Sequence, residues 1–233
     1  MTMNEVSYEL TNHEMMFLAA AVGGNTFLGF TYDEDVGAKA KAEQMWETVK
    51  PSLLLKNYIF ETEKGFMTID KQLTDCMDIC VNPEYFIFCK VRDNDEEKAC
   101  NFYACDNRFI KLEQDTAAGN QYVLTPIKSK ARLNMSLRDY MDLNGTYPEP
   151  DTVPEPALAD IPNTLRNHEK MRTLLLILMN EVRQENLFVY AEKYLWKLSI
   201  DNDCEDMKLS VITSEAYNDE LTRILDLITF KGH

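Results

Sequence analysis

Between residues 85 and 127 the chain alternates short apolar runs with tight polar turns. The runs are Tyr85-Phe86-Ile87-Phe88-Cys89-Lys90-Val91, residues 98–105, residues 109–113 and residues 122–125. All four are rich in aromatic and β-branched residues, which fit a pleated surface. Asp93-Asn94-Asp95, Asp106-Asn107 and Ala118-Gly119-Asn120 separate them with turn chemistry. Strands this close in sequence pair antiparallel as a meander, because a parallel pair needs a long crossover. The first strand is apolar on both sides: Tyr85, Ile87, Cys89 and Val91 point one way, Phe86 and Phe88 the other. Each face therefore needs a cover, and another polypeptide is a candidate for one of them. The aromatic surplus of Phe86, Phe88, Phe102, Tyr103 and Tyr122 marks the expected partner-binding surface.

Helical spacing brackets this meander. Thr11 and Glu14 read as a capping box, with Leu10 against Met15 as its hydrophobic staple. The helix that follows is apolar almost all round and should be buried, and Gly23-Gly24 stops it. Asp33, Glu34 and Asp35 suit the start of a second helix with an apolar stripe of Ala40, Trp46 and Val49. Pro51 either kinks that helix or opens a new one. A hairpin is expected at residues 58–61 and 66–69, then a helix over 71–81 capped by Asp70 and stopped by Asn82-Pro83. The order of helices and hairpin is that of a winged helix. Only Lys50 and Lys56 could serve a DNA-reading helix, and the wing tip carries Glu61, Glu63 and Lys64. A winged helix used as a protein scaffold fits better than a DNA-binding transcriptional regulator, which stays as the alternative.

After the meander come a short helix over 136–143 and a linker over 147–162 with Pro148, Pro150, Pro154, Pro156 and Pro162. A long helix over 163–183 is predicted next, then strands at 187–190, 194–200 and 207–213. A final helix over 215–230 carries Leu221, Ile224, Leu225 and Ile228 at helical spacing. The fold class is therefore α+β: a winged-helix-like N-terminal segment, an antiparallel meander, and C-terminal helices with a second small sheet. The expected divisions are 1–83, 84–146, the linker 147–162, and 163–233.

Charge and chemistry narrow the function. The chain has 233 residues and a formal net charge of −15, from 39 acids against 24 bases. Such a surface repels phosphate, which argues against nucleic acid as the main partner. The six cysteines form no CxxC pair and read as reduced, buried thiols. The polar, acidic start lacks the apolar core of a signal peptide, and the longest apolar run, residues 174–179, is too short for a membrane span. A cytoplasmic protein without membrane insertion is expected. There is no GxSxG, HExxH or phosphate-binding loop, so no catalytic residue, cofactor or metal is assigned. His13 and His168 read as packed or solvent-side, and the acids at 201–206 as a solvated loop lacking the glycine and distal glutamate of a calcium loop. The sequence leaves a homo-oligomer open.

With the elements in this order, the chain resembles the EspG-like secretion-associated proteins of ESX (type VII) systems. Four stretches carry the likeness: residues 8–19 with Leu10-Thr11 and Glu14, residues 53–59, residues 68–73, and residues 209–214 running into the last helix. The glycine and arginine richness of that family is missing, and the wealth of cysteine, methionine and lysine suggests a low-GC Gram-positive source. The resemblance implies a cytosolic chaperone or adaptor without enzymatic activity, whose client is a small helical secreted protein of WXG-like or LXG-like type. It places the contacts in two regions, 86–98 and 215–230.

Overall fold

The structure is a computed structural model. It describes residues 6–24, 27–30, 39–93, 96–115, 121–142, 170–178, 181–191, 194–200 and 207–228. The proline-rich linker, the acidic 201–206 loop, Cys204 and His168 lie outside the described residues. In chain order the elements are β1 Tyr8–Thr11, α1 Asn12–Ala21, α2 Lys39–Leu55, β2 Ile59–Glu61, β3 Met67–Ile69, α3 Lys71–Val81, β4 Tyr85–Asp93, β5 Glu96–Cys105, β6 Arg108–Asp115, β7 Gln121–Ile127, α4 Lys130–Met141, β8 Lys170–Leu178, β9 Glu181–Ala191, β10 Tyr194–Ile200, β11 Met207–Ile212 and α5 Ser214–Asp226. The fold is α+β. Nine strands form one sheet in the order β1-β7-β6-β5-β4-β8-β9-β10-β11, and β2 with β3 forms a second. The chain divides into two compact units, residues 1–84 with 102–128, and residues 85–101 with 129–233.

In the first unit, local signals set the helices. Thr11 Oγ1 accepts from the Glu14 N–H and the Glu14 carboxylate accepts from the Thr11 N–H, so the capping box is complete. Leu10 and Met15, its staple, are both fully buried. At the other end Gly23 takes a φ of +86°. The Gly23 N–H then reaches the Ala20 carbonyl and the Gly24 N–H the Ala19 carbonyl, a Schellman end. Asn57, with φ of +57°, ends α2 the same way through Tyr58 N–H to Leu53 O. Pro51 sits inside α2 without ending it. The Asp70 carboxylate caps α3 through the Leu73 N–H. Asp106 and Asn107, both at positive φ, make the tight turn between β5 and β6. The hairpin β2–β3 stands where the turn residues placed it, between α2 and α3, and its strands pair with each other. Strand β1 is an element the sequence pattern did not reveal. Its four residues align with Gln121 to Leu124 of β7, a partner more than a hundred residues away.

In the second unit the predicted long helix over 163–183 is corrected. Its described part is a strand, β8, antiparallel to β4 on one side and to β9 on the other. The run Leu174-Leu175-Leu176-Ile177-Leu178 carries no polar alternation in sequence, and such a run does not separate a strand paired on both sides from a buried helix. The second small sheet expected for the C-terminal part is likewise corrected: β9, β10 and β11 extend the same sheet as the meander. The helix expected at 136–143 begins earlier, at Lys130, because Ser129 accepts from the Arg132 N–H and caps it. The last helix, expected over 215–230, begins at Ser214 and is capped by Thr213, whose side chain accepts from the Ala216 N–H.

Candidate partner interface

Of the five aromatic residues expected at the surface, Phe86, Phe102, Tyr103 and Tyr122 are 4%, 1%, 0% and 6% exposed, and Phe88 is half-buried. In the first unit the chain supplies its own cover. Phe27 stacks on Phe30 with centroids 4.8 Å apart, Phe27 meets the edge of Tyr103, and Phe30 meets Tyr122. The Tyr103 hydroxyl donates to the Leu28 carbonyl at 2.6 Å, which satisfies its polar tip inside the core.

In the second unit, register sorts the sheet into two faces. Val91 lies opposite Arg172, Arg172 opposite Phe188, and Phe188 opposite Lys197. Helix α5 packs on this face: Tyr217 meets Phe188 edge-on at 4.7 Å, and Glu220 accepts from Lys197 at 2.9 Å. Leu221, Ile224, Leu225 and Ile228 are buried, as their spacing predicts. The Tyr217 hydroxyl donates to the Met141 carbonyl at 2.7 Å and fixes the end of α4 beside α5. Arg138 adds a second tie, donating to the Asn218 side chain and carbonyl and to Thr222 Oγ1. The opposite face carries Met171, Val189, Trp196 and Val211 in one cross-strand row, and Phe86 and Phe88 belong to it. Val189 and Trp196 are buried there. Phe88 is thus the one member of the expected five that keeps surface in the isolated chain.

Where β4 turns into β5, the first face holds a charged concavity. Its floor is Arg172, 1% exposed, a diagonal cross-strand neighbour of Asp93. The guanidinium grips the Asp93 carboxylate with both amino groups, at 2.7 and 3.2 Å. The same two nitrogens donate to the Met171 carbonyl at 3.0 Å and the Asp142 carbonyl at 2.7 Å. Nε, buried as well, has no acceptor among the described residues. A buried arginine is stable only when it is paired and hydrogen-bonded in this way. Glu96 and Lys98 from β5, with Asp139 and Asp142 from the end of α4, complete a cavity of about 220 Å³. The sequence reading did not single out these residues. The available signal was an arginine two residues ahead of the apolar run 174–178, which demands a partner as soon as that stretch is read as a strand.

Other titratable groups take structural parts. Glu14 is buried against Lys56 at 2.7 Å. Burial alone would raise its carboxyl, but the Lys56 ammonium, the Thr11 N–H and Ser52 together hold it below the usual range. Cys76 is pushed up to about 12 by burial and then by Asp75 and Asp70, and burial raises Cys80 further, so both thiols stay protonated. Glu84, Cys105 and Asp106 bring ligand atoms within 4.8 Å of one another. Arg108 already lies beside Asp106 at 3.7 Å, and burial with the two carboxylates raises the Cys105 thiol, so the donor set suits a thiolate-bound metal poorly. Among the described residues no helix is long and apolar enough to cross a membrane.

No family model and no curated protein matches the sequence. Among solved structures, the chain is similar in fold to the Mycobacterium tuberculosis type VII secretion system chaperone EspG5, a structure determined in complex with the PE25-PPE41 dimer. The TM-score is 0.64 at 6% sequence identity, over 98% of this chain and 99% of that one.

Proposed function

We propose that this protein is a chaperone of a type VII-like secretion system, holding a small helical client before export. The observation that carries this reading is the likeness in fold, over almost the whole of both chains, to a type VII secretion chaperone captured with a protein dimer. Two features of the chain support it. Phe88 keeps an apolar surface on a sheet face where Met171, Leu175 and Val211 are also only half-buried. A charged cavity opens at the β4–β5 turn, lined in part by Val91, Asp93, Glu96 and Lys98 of the 86–98 stretch that the family resemblance marks for contact. The client would be a WXG-like or LXG-like helical protein, met in the cytoplasm. The DNA-binding alternative is poorly supported: of the two bases available to it, Lys56 is tied to Glu14 and to the Glu9 carbonyl, and the net charge of −15 opposes the phosphate backbone.

The test is co-expression with the small helical secreted proteins of the source genome, followed by size-exclusion chromatography with light scattering. A stable complex with one of them is the expected result. If the chain elutes alone beside every such protein, the reading fails.

A further inference from the structure

We propose that the open edge of the sheet at β11 takes up an extended segment of the client polypeptide, which adds as a further strand. This inference rests on the chaperone reading and names the backbone conformation and side-chain pattern of the segment that would be held.

The nine-stranded sheet ends at β1 on one side and at β11 on the other. A strand at an edge carries N–H and C=O groups that face no neighbouring strand and need other partners. At β1, side chains supply them. The Glu9 N–H donates to the Tyr58 hydroxyl at 3.0 Å, the Glu9 carbonyl accepts from Lys56 Nζ at 2.9 Å, and the Thr11 N–H donates to the Glu14 carboxylate at 2.7 Å. Nothing comparable stands at β11. Its six residues pair with β10 in unbroken register, and residues 209–212 make no hydrogen bond beyond that ladder among the described residues. Residues 209–214 also lack the usual shields of an edge: they hold no charged residue and no proline, and the register shows no bulge. One edge of the sheet is sealed from within the chain, and the other is left able to pair.

The edge also sets the pattern of its occupant. Leu209 and Val211 lie on the face of Val189 and Trp196 and pack half-buried against that pair. An added strand with an apolar residue at every second position extends this face, because cross-strand neighbours on one side of a sheet touch. Area and charge choose between a client and a second copy of the chain. A ladder of six residues by itself falls short of the roughly 1,000 Å² that a stable interface buries. Two copies would also each bring a net charge of −15. A client held elsewhere on the chain needs only a strand's worth of added contact here, and a neutral or basic segment meets no such repulsion. The mode is strand addition: main-chain hydrogen bonds hold the segment, and its alternate side chains select it.

The test uses the full chain and two acetyl- and amide-capped peptides of about seven residues, an ordinary strand length. Both alternate valine and threonine between terminal lysines. The second is N-methylated at consecutive central residues, which keeps the side chains and removes donors from both edges of the peptide. Binding is followed by ¹H–¹⁵N spectra and by amide hydrogen exchange. The unmethylated peptide should bind about tenfold more tightly, the worth of two or three main-chain hydrogen bonds. Its shifts should centre on residues 209–212, and alternate N–H groups there should exchange more slowly, because only every second residue faces an added strand. Equal binding of the two peptides, or shifts centred elsewhere, overturns the proposal. Slow exchange at those groups in the chain alone, with a doubled mass by light scattering, assigns the edge to a second copy and overturns it as well. The two readings fail separately. A client complex from the co-expression series with no added protection at residues 209–212 sinks the edge and spares the chaperone. Strand addition by the peptide with no client found does the reverse.

Discussion

At the scale of single residues, an aromatic side chain in a strand shows its partners only through burial. Phe86 and Phe88 are two positions apart on one strand and share a face, yet Phe86 is buried and Phe88 half-buried. A charge at Phe86 is placed in the core without a partner. Phe86→Asp should therefore cost about 3–5 kcal/mol or more and yield a chain that unfolds early in urea. Phe88→Asp should fold with a smaller loss and weaken client binding. Urea midpoints for the two variants, read beside the co-expression assay, check this. A Phe88→Asp chain that folds and binds a client normally removes Phe88 from the interface. The residues that proved legible in the sequence act on their own backbone neighbours: Thr11, Gly23, Asp70 and the Asp106-Asn107 pair. Those that were not legible, Arg172 and Asp93, are 79 positions apart and meaningful only as a pair.

At the scale of elements, α5 shows how a helix is fixed to a sheet. Its apolar stripe is buried, and Glu220 sits at the margin, accepting from Lys197 on β10 and from Arg223 within the helix. Burial alone would raise this carboxyl, but the two cations outweigh it and bring it down from 4.5 to about 2. A carboxyl whose folded value is depressed stabilises the fold above its unfolded value and loses that contribution as pH falls through the folded one. The contribution, on the order of 2 kcal/mol, should be complete above about pH 4.5 and should fade toward pH 2. Glu220→Gln should thus lower stability at pH 7 and lose part of the acid sensitivity between pH 4.5 and 2. Denaturant midpoints at pH 7, 4 and 3 measure it. A gap between wild type and variant that stays constant with pH refutes the ion-pair account.

At the scale of the molecule, each compact unit is discontinuous in sequence, because residues 85–101 belong with 129–233 and residues 102–128 with the N-terminal part. Strand β8 pairs with β4 along nine residues, from Tyr85 opposite Leu178 to Asp93 opposite Lys170. A fragment of residues 129–233 would strip that partner away and leave an apolar, uncovered edge. It should be unstructured or aggregate when expressed alone, by circular dichroism and light scattering. A monomeric, cooperatively melting fragment would show that the β4–β8 pairing is dispensable. The same pairing explains why the sequence misled at 163–183. An apolar run of this length is compatible with a buried helix and with a central strand, and only the presence of β4 and β9 on its two sides decides between them.

The amino-acid sequence by itself determined what depends on near neighbours: the caps and stops of the first and third helices, where the meander turns, and that its first strand is apolar on both faces. Those features rest on interactions spanning a few residues, and one residue type at one position is enough to create them. Tertiary structure alone decided which apolar surface meets the chain itself, that β1 closes onto β7, that residues 170–178 are strand, and that a buried arginine anchors a charged cavity. Such outcomes depend on which distant segments arrive side by side, and the free energy of that arrival is shared among many contacts that no single stretch of sequence contains.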